Sequence, residues 1–160
     1  MTATTHPIIT RQLLSRPFDG LAPGLTFTGD ARTVADEDVV AFAYLTGDHH
    51  PLHLDEAFAA GTPFGGRIAH GMLVASLAIG MLPLDPAYVV ALRTVRDVVF
   101  KAPVHVGDTI VLAGAITELR ELDETLGLVT VRCRITTGAT LAARMQLDVL
   151  WRRAPEICGA

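Results

Sequence analysis

A chain of 160 residues, half of them hydrophobic and 19% charged, has the composition of a folded globular protein and can bury one real core. That excludes an intrinsically disordered chain. The formal charge of −4 gives no electrostatic case for nucleic acid or an anionic membrane as a partner. The two cysteines, Cys133 and Cys158, match neither a zinc spacing nor a disulfide framework, so a reducing, cytoplasmic setting is expected. The stretch without a formal charge from Ile68 to Leu84 is shorter than the roughly 20 residues a membrane span needs. Pro7-Ile8-Ile9 is too short for the apolar core of a signal peptide.

In chain order, residues 1–24 carry Pro7, Pro17 and Pro23 without a clear period and read as a lead-in arm. A first strand is expected from Leu25 to Val34. Asp36, Glu37 and Asp38 suit a helix N-terminus, and Val39, Phe42, Ala43 and Leu45 supply its apolar stripe. Gly47 is placed to end that helix in a left-handed residue. Asp48 to His53 is then a loop stiffened by Pro51, and Leu54 to Ala60 a short second helix ended by Gly61 and Pro63. Ile68 to Leu82 is apolar on every side, which predicts a helix wrapped by other elements.

The second half changes period. Val129, Val131, Cys133 and Ile135 alternate with Thr130, Arg132, Arg134 and Thr136. Ala143, Met145, Leu147, Val149 and Trp151 alternate with Arg144, Gln146, Asp148 and Arg152, Leu150 being the one apolar residue on that polar face. A period of two marks strands. Tyr88–Lys101 and Thr109–Glu118 are two further β-rich runs with a turn at Gly107-Asp108 between them. The pattern predicts an α+β fold: one antiparallel sheet curled around one buried helix, with the domain over residues 25–153 and a short tail at 154–160.

Four of the six histidines, His49, His50, His53 and His70, fall within 22 positions. A carboxylate at Asp48 and an imidazole at His53, in one ordered loop, suit general acid–base work on a small molecule such as water. The same residues allow two other readings. Asp48 can cap or brace the local backbone. Asp48, His49, His50 and His53 are all metal-ligand types, although their spacing matches no common zinc motif, and no metal is expected. The second segment, Gly65-Gly66-Arg67-Ile68-Ala69-His70-Gly71-Met72, opens the apolar helix. A helix N-terminus carries free N–H groups, and Gly71 lets another group approach its N–H, unless it is simply a packing glycine.

Tyr44-Leu45-Thr46-Gly47-Asp48-His49-His50-Pro51-Leu52-His53 followed by Ile68-Ala69-His70-Gly71-Met72-Leu73 resembles the signature of the MaoC-like hydratases, the family of (R)-specific enoyl-CoA hydratases. Phe100 to Thr109 also resembles the family's strand and turn in the same relative place. The resemblance implies a hot-dog fold. It further implies that Asp48 and His53 form the catalytic pair, activating water for addition to a 2-enoyl thioester, and that the Gly71 N–H meets the thioester oxygen. One departure stands out: His50 occupies the signature's Asn position, where with Pro51 it would support the loop.

The resemblance implies a CoA or acyl-carrier thioester as substrate and a homodimer or higher homo-oligomer joined through the sheets. It implies no cofactor, and no dinucleotide fingerprint is present. Candidates for an acyl tunnel are Tyr44, Phe64, Met72 and Ser76; candidates for the carrier's phosphates are Arg67, Arg93, Arg96 and Lys101. Three alternatives remain: a 3-hydroxyacyl dehydratase on carrier-protein thioesters, a hot-dog acyl-CoA thioesterase, and a non-catalytic acyl-binding subunit. The absence of Asp and Glu from Ile68–Leu82 counts against the thioesterase, whose acid commonly lies on the central helix.

Overall fold

The computed structural model describes residues 14–154. Its strands are β1 (Thr26–Thr28), β2 (Arg32–Thr33), β3 (Val89–Phe100), β4 (Thr109–Glu121), β5 (Leu126–Thr137) and β6 (Thr140–Arg152). Its helices are α1 (Asp36–Thr46), α2 (Pro51–Leu54), α3 (Glu56–Ala60) and α4 (Gly71–Gly80). The strands form one antiparallel sheet in the order β1-β4-β5-β6-β3, with β2 also on β4. This is the α+β hot-dog layout: a long sheet curled over one apolar helix.

The period-two pattern lands as expected. Val129, Val131, Cys133 and Ile135 of β5 and Met145, Leu147, Val149 and Trp151 of β6 turn inward. There they share one core with Leu73, Val74, Ala75 and Ala78 of α4 and with Ile110, Leu112 and Ile116 of β4. Burial pushes the Cys133 thiol up to about 12, which makes it a packing group and not a reactive one. Cys158 lies outside the described residues. On the sheet's outer face Asp148 is buried. Thr130 and Thr94 donate to it at 2.8 and 2.6 Å, and Arg96 at 3.0 Å. Burial opposes its ionisation, but those donors and the Arg96 charge outweigh burial and hold the carboxyl below its ordinary range.

Four expectations need correction. The first strand is not continuous: Gly29 still donates to the Leu112 carbonyl at 2.8 Å, but Asp30 and Ala31 leave the ladder before β2 resumes it. The apolar helix begins at Gly71, not Ile68. Ile68 bridges to His105, and Ala69 donates to the Val104 carbonyl at 2.7 Å, so the segment is buried as an extended piece before it coils. Nor is α4 wrapped on all sides, since Met72, Ser76 and Gly80 are exposed. The second helix, expected over Leu54–Ala60, is α3 from Glu56, and the expected loop before it holds the turn α2; Asp55 closes α2 and caps α3 by accepting from the Phe58 N–H at 3.0 Å.

The described part of the lead-in segment is fixed to the sheet: Leu14, Phe18 and Leu21 are buried, and the Trp151 indole N–H donates to the Arg16 carbonyl at 2.9 Å. At the other side β3 is an edge strand exposed over most of its length. Among the described residues no helix is long and apolar enough to cross a membrane.

Candidate functional site

The first helix starts where its acids suggest, with Asp38 accepting from the Ala35 N–H at 3.1 Å. It stops at Gly47, whose φ of 79° is the left-handed conformation that a side chain would strain. That turn sets the next residue, Asp48, at the mouth of the following loop. The Asp48 N–H donates to Thr46 Oγ1 at 3.3 Å, and its carboxylate Oδ1 accepts from the His50 N–H at 3.3 Å. The bracing role is therefore present, while the side chain stays about half exposed (55%) with its other oxygen available.

His50 supports the loop through its ring. Its Nδ1 accepts from the Leu52 N–H at 3.1 Å and caps α2, and Pro51 occupies the first helical position, where its missing N–H costs nothing. His53 consequently sits in a turn of helix, not in the loop expected for it. His53 Nδ1–H donates to the Ile68 carbonyl at 2.7 Å, which leaves Nε2 as the free acceptor of the neutral ring. Burial lowers its pKa and His70 and His50 add to that; the Ile68 carbonyl and Asp48 oppose it without reversing it.

The sequence named His70 as part of a motif without giving it a task, and it is the residue that binds the site together. It is 3% exposed. Its Nε2–H donates to the Asp48 backbone carbonyl at 3.0 Å, and its ring stacks on His53 with centroids 3.7 Å apart and planes 28° apart. Phe42 covers it from α1 at 5.1 Å. Its other nitrogen, Nδ1, is buried without a partner among the described residues. A lone histidine inside an otherwise apolar segment, directly before a helix-starting glycine, is the signal that marks it.

Asp48, His53 and His70 each place one ligand-type atom within 4.8 Å of the others. This set differs from the four ligand-type residues of the sequence: His70 joins Asp48 and His53, and His49 and His50 drop out. Two of the ring nitrogens, His53 Nδ1 and His70 Nε2, are engaged with backbone carbonyls. The arrangement fits proton handling better than metal coordination. His49 points away: its Nδ1 meets the Gly47 carbonyl and its ring packs on Tyr44.

His53 opens onto an apolar cleft of about 320 Å³ lined also by Phe64, Ile68, Gly71, Val74, Phe100 and Lys101. Of the expected tunnel residues only Phe64 lines it. Tyr44 is 75% exposed at the end of α1, and Met72 and Ser76 lie on the uncovered stripe of α4. The reason is helical phase: one step past Gly71 the helix turns its side chains away from the cleft, and Val74 faces it instead. A Cβ at Gly71 would stand 2.7 Å from the Phe100 ring, so the residue packs closely as well as opening the helix. Among the expected phosphate ligands, Arg67 is tied to Asp36 and Glu56 and Arg96 to Asp148, while Lys101 is at the cleft.

The sheet-over-helix fold and the Asp–His loop at a helix N-terminus define a class of acyl-thioester domain that known proteins share. The model of the MaoC-like domain matches residues 21–139, and the chain belongs to that family. An (R)-specific enoyl-CoA hydratase from Aeromonas caviae is 43% identical over 105 residues, covering 66% of this chain and 77% of that protein. A 3-hydroxybutyryl-CoA dehydratase from Methylorubrum extorquens is 41% identical over 105 residues, 64% of each. The solved structure of an (R)-hydratase from A. caviae superposes with a TM-score of 0.68 at 37% identity, covering 81% of this chain and 96% of that one.

Proposed function

We propose that the protein is a hydro-lyase that interconverts a 2-enoyl thioester and the corresponding 3-hydroxyacyl thioester. The observation that carries the reading is the Asp48 carboxylate within 4.8 Å of a ring nitrogen of His53, which itself opens onto an apolar cleft that ends on the first turn of α4. The similarity to named hydratases and dehydratases supports the same reaction in both directions.

In this reading His53 Nε2 accepts a hydrogen bond from one O–H of a water, and Asp48 takes the proton of the other. The water oxygen bonds to Cβ of the enoyl group while the electron pair of the double bond moves toward the thioester carbonyl. The Gly71 N–H, which has no partner within its own helix, faces the oxygen where that charge collects. Asp48 then returns its proton to Cα, so water is added with no net change in the protein. His70 acts through Asp48 by fixing its backbone and through His53 by backing its ring. The acid-free α4 weighs against thioester hydrolysis.

The substrate's carrier is CoA in this proposal, with Lys101 near the cleft as a candidate contact. The product is read as the (R)-3-hydroxy thioester by analogy with the named relatives. The protein is read as a cytoplasmic homodimer. The unpaired edge of β3, with Val90, Leu92, Val95 and Phe100 exposed, supports pairing with a second copy. Turnover of crotonyl-CoA by the purified chain tests the reading. The wild type should hydrate it, and Asp48→Asn should lose about a hundred- to ten-thousand-fold in kcat. Comparable rates for both would refute it.

A further inference from the structure

The outer face of the sheet carries a second concavity that the reaction does not use. Strand register lays its side chains out in rows. Arg134 of β5 lies directly opposite Arg144 of β6, with Ala113 of β4 on one flank and Val99 of β3 on the other. In the next row of that face Arg132 lies opposite Gln146, again with an alanine, Ala115, on the β4 side. Cross-strand partners stand about 5 Å apart and successive rows about 7 Å apart, so the three guanidinium groups share one small area. The groove they border has a volume of about 530 Å³, and Asp97 is the acid among its lining residues.

Two features separate this cluster from ordinary solvated charge. Like charges directly opposite on a sheet destabilise it, so the Arg134–Arg144 pair is a cost to the fold. Moreover, acids are available on this face and are used elsewhere: Asp148 satisfies Arg96, Thr94 and Thr130 in the adjoining rows. Arg132, Arg134 and Arg144 have no hydrogen-bond or ion-pair partner among the described residues. In a chain of net charge −4 this is a local concentration of three cations against the single carboxylate of Asp97 in the groove lining.

We infer that the groove bordered by Arg132, Arg134 and Arg144 is a binding site for a diphosphate group. Planar guanidinium forks match phosphate oxygens in pairs, and two adjacent rows of them match two linked phosphates better than one. The alanines at Ala113 and Ala115 leave room beside the arginines, and Gln146 adds a neutral donor. The site lies behind the cleft. Phe100, Ala142 and Ala143 face the cleft, while their chain neighbours Val99, Leu141 and Arg144 face the groove. The diphosphate can belong to the CoA portion of a thioester substrate or to a free nucleotide. The binding claim itself does not depend on the hydro-lyase reading.

The test is calorimetric titration of the full chain with inorganic pyrophosphate at fixed ionic strength, beside a thermal melt with and without it. The wild type should bind saturably and melt higher when loaded. Arg134→Gln/Arg144→Gln should lose roughly tenfold or more in affinity. Without ligand the double variant should melt no lower than wild type, because a repulsion has been removed. Arg32→Gln, an exposed arginine of β2 outside the groove, should bind as wild type does. Two further arms separate the sources. Free CoA that displaces pyrophosphate, with a raised KM for crotonyl-CoA but not for crotonyl-pantetheine in the double variant, assigns the site to the substrate's carrier. Displacement by ADP, with both KM values unchanged, assigns it to a free nucleotide. No saturable binding by the wild type, or equal binding by the double variant, overturns the proposal; inactivity toward crotonyl-CoA alone would instead count against the hydro-lyase reading.

Discussion

Strands β5 and β6 and the segment from Gly47 to Gly71 are held together in different ways. The strands are paired along their whole lengths, and their inward side chains, from Val129 to Trp151, are almost wholly removed from water. The loop segment buries little of Asp48, His49 or His50. Its shape rests on single hydrogen bonds: Asp48 to Thr46, Leu52 to His50, His53 to Ile68, and His70 to Asp48. A region stabilised by area tolerates a lost contact only at a cost to the whole fold, while a region held by individual bonds keeps the fold and loses geometry. The chemistry proposed above is located in the second kind of region.

That contrast can be broken by mutation. The largest effect is expected at His53→Ala, which should cost about a hundred-fold or more in kcat for crotonyl-CoA, with a melting temperature close to that of the wild type. Loss of fold together with activity would show that the loop is structural after all. Leu147→Ala should do the converse. It removes a fully buried side chain and should cost about 2–5 kcal/mol in denaturant unfolding, with kcat preserved in the surviving folded fraction. His70→Phe keeps an aromatic ring behind His53 but loses the donor to the Asp48 carbonyl. A fall of roughly tenfold or more in kcat, with KM nearly unchanged, is expected from one lost buried hydrogen bond.

Acidification should sharpen the comparison further. Because burial lowers the His53 pKa, the neutral ring with its Nε2 acceptor persists below the ordinary value of 6.5. The acid limb of kcat/KM should therefore have its midpoint below 6.5 and vanish from the profile of a His53 variant's residual activity. For stability the sign is the same: the unfolded chain takes up the proton first, so this histidine's contribution is complete above 6.5 and is lost as pH falls through that value toward the folded pKa. The smallest effect belongs to His50. His50→Ala should cost about 1 kcal/mol through the lost cap of α2, and His50→Asn should recover it.

The two regions also differed in how far they were legible from the residues. Period-two runs located β5 and β6 to within a few residues, because a sheet with one face inward imposes its pattern on every position. The same logic misreads Ile68–Leu82 in two ways: an extended piece bonded to Val104 and His105 is as apolar as a helix turn, and Met72, Ser76 and Gly80 are exposed despite the all-round apolar pattern. In the loop, residue types and a family resemblance point to Asp48, His53 and Gly71 as candidates. They did not show that His53 lies on a helical turn or that His50 caps it, since those facts depend on single bonds and not on a repeated pattern. Tyr44, Met72 and Ser76 were assigned to the tunnel from nearness in sequence, and helical phase turns all three outward. The role of His70 needed coordinates because its partner, the Asp48 carbonyl, is a backbone atom without a sequence signal.

The most direct test follows enoyl absorbance and free thiol together while the purified chain acts on crotonyl-CoA. The account predicts loss of the enoyl signal with no thiol released, and the reverse conversion from 3-hydroxybutyryl-CoA. Thiol release with the enoyl signal intact would contradict it and make the protein a thioesterase.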